Sequence, residues 1–258
     1  MGAGQLSNSM GPFLDRITKR TNRIGEDAVS ETQDVGGCLD RRQTLTGFVS
    51  AATLISTISV AIGAEMVSGK GASAALDLKK AALLLLHYQT DIVSLFPNET
   101  MSPIVERMRK ITNLLRQRGV AIYFVKIGFS SDYREISNNN KNGQMTKRFK
   151  RFTSDAILPS LHEEGDTVLT GHRVSGFKGT ALDEQLRANG IETLIMAGLV
   201  TSGVVLSTLS EASDLDYRIL LIEDGCYDPD KKAHDALVSV PFATRADIVT
   251  AGALADLL

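Results

Sequence analysis

A strand, a tight turn and the start of a helix follow one another between residues 193 and 211, and this succession constrains the fold most. The apolar run at residues 193–197 predicts a buried strand. A turn of small residues follows at 198–203, and a helix begins near Gly203. At such a junction, backbone N–H groups point outward and can hold an anion or a developing oxyanion. In an open α/β sheet, ligands bind at this carboxyl edge.

Further aliphatic runs alternate with helical patterns. Strands are predicted at residues 81–86, 120–127, 167–169, 193–197, 218–222 and 247–250, and helices at 103–118, 180–188 and 229–238. Residues 129–153 are predicted to form a long polar loop. The alternation implies right-handed crossovers, and therefore a three-layer α/β/α sandwich with a mainly parallel sheet.

The N-terminal extension, residues 1–74, differs in character from the globular domain predicted at residues 75–258. Arg41 and Arg42 precede a weakly apolar run without charge at residues 43–64. This pattern resembles a bacterial twin-arginine export signal, which implies a periplasmic protein. The alternatives are a membrane anchor formed by residues 43–64, since about twenty apolar residues can span a bilayer, and a plain flexible tail.

The composition bounds the partners. The chain has 28 Lys and Arg against 30 Asp and Glu, a net charge of -2 that gives no support for nucleic acid as the partner. Its two cysteines, Cys38 and Cys226, make no disulfide framework. Neither metal-ligand spacing nor a glycine-rich phosphate motif occurs in the sequence, so no metal and no cofactor are predicted.

Four sequence blocks carry a family resemblance: LLLLHYQTDIV, VLTGHRVSGFKGTALDEQL, MAGLVTSGVVLST and ILLIEDGCYDPD. The third is similar to Gly-x-x-Thr-x-x-Cys-Val-x-x-Thr, the motif of the isochorismatase-like (cysteine hydrolase) superfamily. The positions in register are Gly198, Thr201, Val205 and Thr208. The resemblance covers residues 83–251. It implies an isochorismatase-like, Rossmann-like fold, a small-molecule substrate, a homo-oligomer and a cis peptide bond between Leu199 and Val200.

The catalytic positions that the resemblance implies are all replaced. In cysteine hydrolases an Asp ends the first strand, a Lys precedes an Arg-x-Ser-x-Phe-x-Gly-Thr pattern, and a Cys begins the helix after the turn. The thiolate attacks an amide carbonyl beside an oxyanion hole. Here those positions hold His87, Gly171 and Val204. Amide hydrolysis by the family route is therefore not expected.

Two functions remain open from the sequence. One is a hydrolase that acts on a small carboxylated molecule by a non-thiol mechanism, with His87 as acid or base. Isochorismatases also lack the cysteine and hydrolyse a vinyl ether, which fits this hypothesis. The other is a family member without catalysis that binds a small molecule or acts as a scaffold. Whether the chain is an enzyme is thus undecided by its sequence.

The candidate pocket residues lie at strand ends and on the turn. They are Gln89, Lys126, Arg173, Val200, Thr201, Ser202 and Val204. Lys126 either replaces the missing cation or is a surface lysine. Arg173 either binds a substrate carboxylate or forms a structural salt bridge. The hydroxyls of Thr201 and Ser202 are candidate ligand contacts, and Ser202 as a nucleophile has no base other than His87.

A basic segment lies in the predicted polar loop. Its members are Lys147, Arg148, Lys150 and Arg151, with Phe149 and Phe152 among them. The pattern is compatible with a lid that attracts anions, with a nucleic-acid patch, and with a solvated loop.

Overall fold

A single parallel sheet organises the part of the protein that can be described. The computed structural model describes residues 75–154 and 156–258. The strands are β1 (Ala81–Leu86), β2 (Ala121–Ile127), β3 (Thr167–Gly171), β4 (Thr193–Gly198), β5 (Arg218–Ile222) and β6 (Asp247–Val249). Their order is β3-β2-β1-β4-β5-β6, and each neighbouring pair is parallel.

Helices connect these strands on both faces of the sheet. They are α1 (Thr90–Val93), α2 (Asn98–Gln117), α3 (Lys141–Arg148), α4 (Leu182–Ala188), α5 (Leu206–Asp214), α6 (Lys231–Leu237) and α7 (Ala251–Leu257). Two π-helical turns, Thr201–Val205 and Val238–Phe242, adjoin α5 and α6. None of the helices in the described ranges is long and apolar enough to cross a membrane. The predicted export signal or anchor lies outside the described residues.

The central strand β1 is buried along its whole length and divides the core into two clusters. Leu83 and Leu85 pack in the cluster that contains the apolar residues of α2 and α7. Leu84 and Leu86 pack in the cluster that contains those of α4 and α5. This alternation follows from the two-residue period of a strand. Each leucine that is fully removed from water contributes about 1.5–3 kcal/mol.

The predicted fold is confirmed, and the sheet contains the predicted strands with small differences at their ends. The predicted neighbours at 83–86, 122–125, 194–196 and 219–221 lie in β1, β2, β4 and β5, which are adjacent in the sheet. Their carboxyl ends therefore form one edge, which we call the sheet rim. His87, Lys126 and Gly198 lie at this rim, as expected.

The polar loop at 129–153 was predicted without secondary structure, and this was wrong because α3 lies inside it. The side chain of Asn140 caps α3 by accepting a hydrogen bond from Gly143 N at 3.0 Å. Gly143 is buried, and a Cβ atom there would lie 2.7 Å from Ile136 Cγ2. Asn140 and Gly143 of the predicted loop thus serve as a helix cap and as a close packing contact.

The end of β4 approaches the end of β1 so closely that only glycine fits between them. A Cβ atom on Gly198 would lie 2.8 Å from both Leu86 Cβ and Val205 Cγ2, and 3.2 Å from the carbonyl oxygen of Leu86. The backbone N–H of Leu199 donates to that same carbonyl oxygen at 3.1 Å. Gly198 therefore fixes where the turn begins relative to β1.

Replacement of Gly198 by alanine should destabilise the fold by about 1–3 kcal/mol, the usual cost of overpacking a core. Urea unfolding followed by circular dichroism should show a lower midpoint. Gly252→Ala is the matched control, because the nearest atom to its Cβ would be Thr250 Oγ1 at 3.8 Å. That control should unfold at the wild-type midpoint or above it. An unchanged midpoint for Gly198→Ala would contradict the close approach.

Candidate functional site

The turn after β4 begins with the peptide bond between Leu199 and Val200, which is cis as predicted. The N–H groups that follow bond within the protein: Thr201 N donates to Tyr227 O at 2.9 Å, and Gly203 N to Val200 O at 3.1 Å. The turn therefore has the cis bond that the family resemblance implies. Several of its N–H groups already donate to acceptors within the protein.

Two candidate hydroxyls on this turn have different surroundings. Thr201 is fully buried, and its Oγ1 is 2.9 Å from Nδ1 of His234. Ser202 is exposed, and its backbone N–H donates to Oδ2 of the buried Asp228 at 2.7 Å. Ser202 is thus the one of the two residues that solvent reaches. Thr201 is buried, and its hydroxyl is hydrogen-bonded to His234. Val200, between the cis bond and Thr201, is half-buried.

His87 follows β1 and is buried, with 8% of its surface exposed. Its backbone is in the left-handed region at φ 60, and its N–H donates to Val125 O at 2.8 Å. Burial lowers the pKa of the imidazole from 6.5 to about 4, and a hydrogen bond with the backbone of Leu199 opposes this in part. His87 is therefore neutral at neutral pH.

Gln89 is fully buried and links the ends of β1 and β2. Its Nε2 donates to the carbonyl oxygen of Ile127 at 2.9 Å, and its Oε1 accepts from the N–H of Ile127 at 2.7 Å. Asp91 Oδ1 lies 3.4 Å from Nε2. Both ends of the amide are thus occupied by one backbone residue. Lys126, the neighbour of Ile127, is half-buried and pairs in register with Thr170 of β3.

Gly171 ends β3 opposite Ile127 and has no side chain to bring a charge to the rim. Arg173 follows two residues later. Its Nη1 donates to the carbonyl oxygens of His172 at 2.6 Å and Glu135 at 3.1 Å. Among the residues that the structure describes, Nε and Nη2 of Arg173 have no hydrogen-bond partner. One edge of the guanidinium is therefore anchored while the other retains its donors.

Val204, at the position where the family resemblance predicts the nucleophile, is 2% exposed. It belongs to the apolar cluster that includes Leu86 and Val125, so its methyl groups take part in the core. Cys226 is also buried, and burial raises the pKa of its thiol to about 12. The described part of the chain thus holds no thiolate at neutral pH. It also holds no cluster of three or more His, Cys, Asp or Glu side chains suited to a metal.

Three polar residues of this region were not singled out from the sequence. His172 donates from Nδ1 to Gly128 O at 2.6 Å, and its ring lies 5.9 Å from that of Phe129. Asp228 and His234 support the turn through Ser202 and Thr201. Only the position of His172 between Gly171 and Arg173 was a usable signal, because the contacts of Asp228 and His234 span more than 25 residues.

The pKa of His87 predicts a pH dependence of stability. The unfolded imidazole titrates near 6.5 and the folded one near 4, so the unfolded state binds more protons between these values. The contribution of the neutral His87 to the free energy of unfolding is therefore fully present above pH 6.5. It decreases by about 3 kcal/mol as the pH falls to 4. His87→Gln should remove this slope from the free energy of unfolding measured in urea.

His162→Gln is the control, because His162 is exposed. It should unfold with the wild-type pH dependence. Parallel pH profiles for the wild type and His87→Gln would show that His87 titrates normally in the fold.

Comparisons of this chain with known sequences and with solved structures both find similar proteins. The sequence model of the Isochorismatase domain matches residues 81–252. The isochorismatase family protein YwoC of Bacillus subtilis is 27% identical over 173 residues, which cover 65% of this chain and 88% of that protein. The ureidoacrylate amidohydrolase RutB of Acinetobacter baylyi is 30% identical over 142 residues, 48% of this chain and 58% of that protein. The structure of N-carbamoylsarcosine amidase from Thermoplasma acidophilum has a TM-score of 0.54 and 28% identity, and the match covers 67% of this chain and 96% of that one.

Proposed function

Because the chain belongs to the isochorismatase family, we propose that it binds a small carboxylated molecule at the sheet rim and does not hydrolyse amides through a thiol. One observation carries the proposal. The positions where the family resemblance predicts the carboxylate, the cation and the nucleophile hold a neutral buried imidazole, a glycine and a buried valine. His87, Gly171 and Val204 together leave these three positions without the carboxylate, the cation and the thiol of that mechanism.

The thiol route needs a nucleophile and groups that favour its ionised form. Val204 has no atom that can form a covalent bond with a carbonyl carbon. Cys226 is no substitute, because its raised pKa keeps the thiol protonated. Gly171 offers no cation to stabilise a thiolate. Each replacement alone would impair the reaction, and together they remove its chemical basis.

A carboxylated ligand is supported by Arg173 and by the relatives. Two donors of the guanidinium keep no partner within the described ranges, and a planar guanidinium pairs with a carboxylate through two parallel hydrogen bonds. The exposed Ser202 adds a hydroxyl on the turn. The names of two relatives, ureidoacrylate amidohydrolase and N-carbamoylsarcosine amidase, both denote substrates with a carboxylate and a carbamoyl group. We extend this ligand class to the present chain.

A second candidate function is hydrolysis of a vinyl ether with His87 as the acid. It is favoured by the place of His87 at the rim, with a hydrogen bond to the backbone of Leu199 beside the cis bond. Protonation of carbon requires the imidazolium form. Since the pKa is about 4, that form is scarce at neutral pH. The rate of such a reaction would therefore rise as the pH falls towards 4.

Isothermal titration calorimetry with N-carbamoylsarcosine tests the binding proposal. Arg173→Lys should weaken binding about tenfold with an unchanged melting temperature, because lysine keeps the charge and loses the paired donors. Arg118→Lys is the control, since Arg118 is an exposed arginine at the end of α2. It should bind as the wild type does. Equal affinity for all three proteins, or no binding, would contradict the proposal.

The same mixtures should be followed by mass spectrometry at pH 4 to 8. The binding proposal predicts that the ligand is recovered intact at every pH. Turnover at neutral pH that iodoacetamide abolishes would refute it. Consumption of a vinyl ether carboxylate that accelerates towards pH 4 and is lost in His87→Gln would select the second candidate instead.

A further inference from the structure

The segment between β2 and β3 contains a cavity that is lined by none of the candidate residues of the sheet rim. Its volume is about 390 Å³, within the range of about 300–1,000 Å³ that is usual for small-molecule pockets. The residues that line it are Ser131, Asp132, Tyr133, Lys147, Lys150 and Thr153. They come from both sides of α3, so this helix and its flanking turns form the cavity.

The cavity is rich in hydrogen-bond donors. Lys147 and Lys150 are exposed, and neither ammonium group has a salt bridge within residues 75–154 and 156–258. In the same ranges the hydroxyls of Ser131 and Thr153 make no hydrogen bond. The carboxylate of Asp132 is already engaged, because its Oδ1 accepts from Ser130 Oγ at 2.7 Å. Two ammonium groups and two hydroxyls are thus available to an anion.

The end of α3 holds Lys150 in a conformation that usually belongs to glycine. Arg151 N donates to Thr146 O at 3.2 Å and Lys150 N to Lys147 O at 3.1 Å, the pattern of a Schellman motif. In this motif the residue after the cap is left-handed, and Lys150 has φ 51. A side chain in this region is disfavoured, which is why glycine predominates there. The lysine is therefore not explained by the fold.

Two further residues around the cavity share this unusual backbone. Tyr133 has φ 57 and Phe152 has φ 62. The loop is held in place by Phe129 N, which donates to Phe152 O at 2.9 Å, and by the hydroxyl of Tyr133, which donates to Arg151 O at 3.0 Å. Backbone strain that the surrounding structure maintains is typical of ligand-binding sites. Three left-handed residues thus lie close together around one cavity. This backbone feature is separate from the charges of the cavity lining.

The geometry points to a binding site for a small molecule that carries a doubly charged oxyanion, such as a phosphate monoester. The two positive charges of Lys147 and Lys150 outnumber the one negative charge of Asp132 in the lining, and the hydroxyls of Ser131 and Thr153 donate to the oxygens of the anion. Lysine binds such a group as a point charge, whereas the planar guanidinium of Arg173 suits a carboxylate. The two sites therefore take different chemical groups, and this inference does not rest on the proposed function.

Calorimetric titration with phenyl phosphate at pH 8 and low salt tests the site. Lys150→Gly should weaken binding about tenfold while its melting temperature equals or exceeds that of the wild type, since glycine relieves the left-handed backbone. A lysine kept only for packing would give a lower melting temperature with no change in binding. Lys147→Ala should weaken binding to a similar degree.

Asp216→Gly is the matched control. Asp216 has φ 65 at the equivalent position after α5, where Asp216 N donates to Ser213 O at 3.1 Å and Tyr217 N to Ala212 O at 3.1 Å. It should gain the same backbone relief and keep wild-type affinity for phenyl phosphate. Affinity that is unchanged in Lys150→Gly, or equal binding of benzyl alcohol, would overturn the inference. Binding of N-carbamoylsarcosine should be unaffected by Lys150→Gly, so the two proposals fail independently.

Discussion

The close approach of β4 to β1 is the contact on which the sheet rim depends. Gly198 leaves room for Leu86 and Val205, and the hydrogen bond from Leu199 N to Leu86 O ties the turn to the neighbouring strand. This contact sets the origin of the cis turn and of the helix that follows. It also brings the backbone of Leu199 to His87. Close packing and a backbone hydrogen bond thus hold the backbone of the sheet rim in place.

The charges at the sheet rim differ from those that the family resemblance implies for a thiol hydrolase. The position where the family resemblance predicts an ionised carboxylate holds His87, which burial keeps neutral. Gly171 brings no cation, and Val204 extends the apolar core. Charges remain further along the rim at Arg173, which follows the edge strand β3, and in the loop that contains Lys147 and Lys150. The distribution favours recognition of anions over activation of a nucleophile.

The sequence predicted the sheet well because its strands are uninterrupted aliphatic runs. β1 consists of six consecutive buried residues. An unbroken apolar run of this length is typical of a parallel strand that is covered on both faces. The sequence failed where one residue type serves two purposes. Residues 129–153 were predicted as a polar loop, but Asn140 caps α3 and Gly143 packs closely within it. Gln89 remains a predicted pocket residue, and its amide also joins two strand ends, a role that the sequence did not reveal because it depends on the distant partner Ile127. The left-handed backbone of Lys150 is likewise invisible in a sequence, because it depends on how α3 ends.

The central claim is that positions 87, 171 and 204 lack the groups that activate a thiol, and the pKa of an introduced thiol measures this directly. Val204→Cys, made in a background that carries both Cys38→Ser and Cys226→Ser, should be alkylated by iodoacetamide with a midpoint at or above about pH 8.5, the ordinary value for cysteine. Addition of His87→Asp and Gly171→Lys should lower that midpoint below about pH 7.5. A Cβ at position 171 makes only ordinary contacts, the nearest at 3.4 Å with Thr180 Cγ2. A midpoint already depressed in Val204→Cys without the other two substitutions would contradict the account.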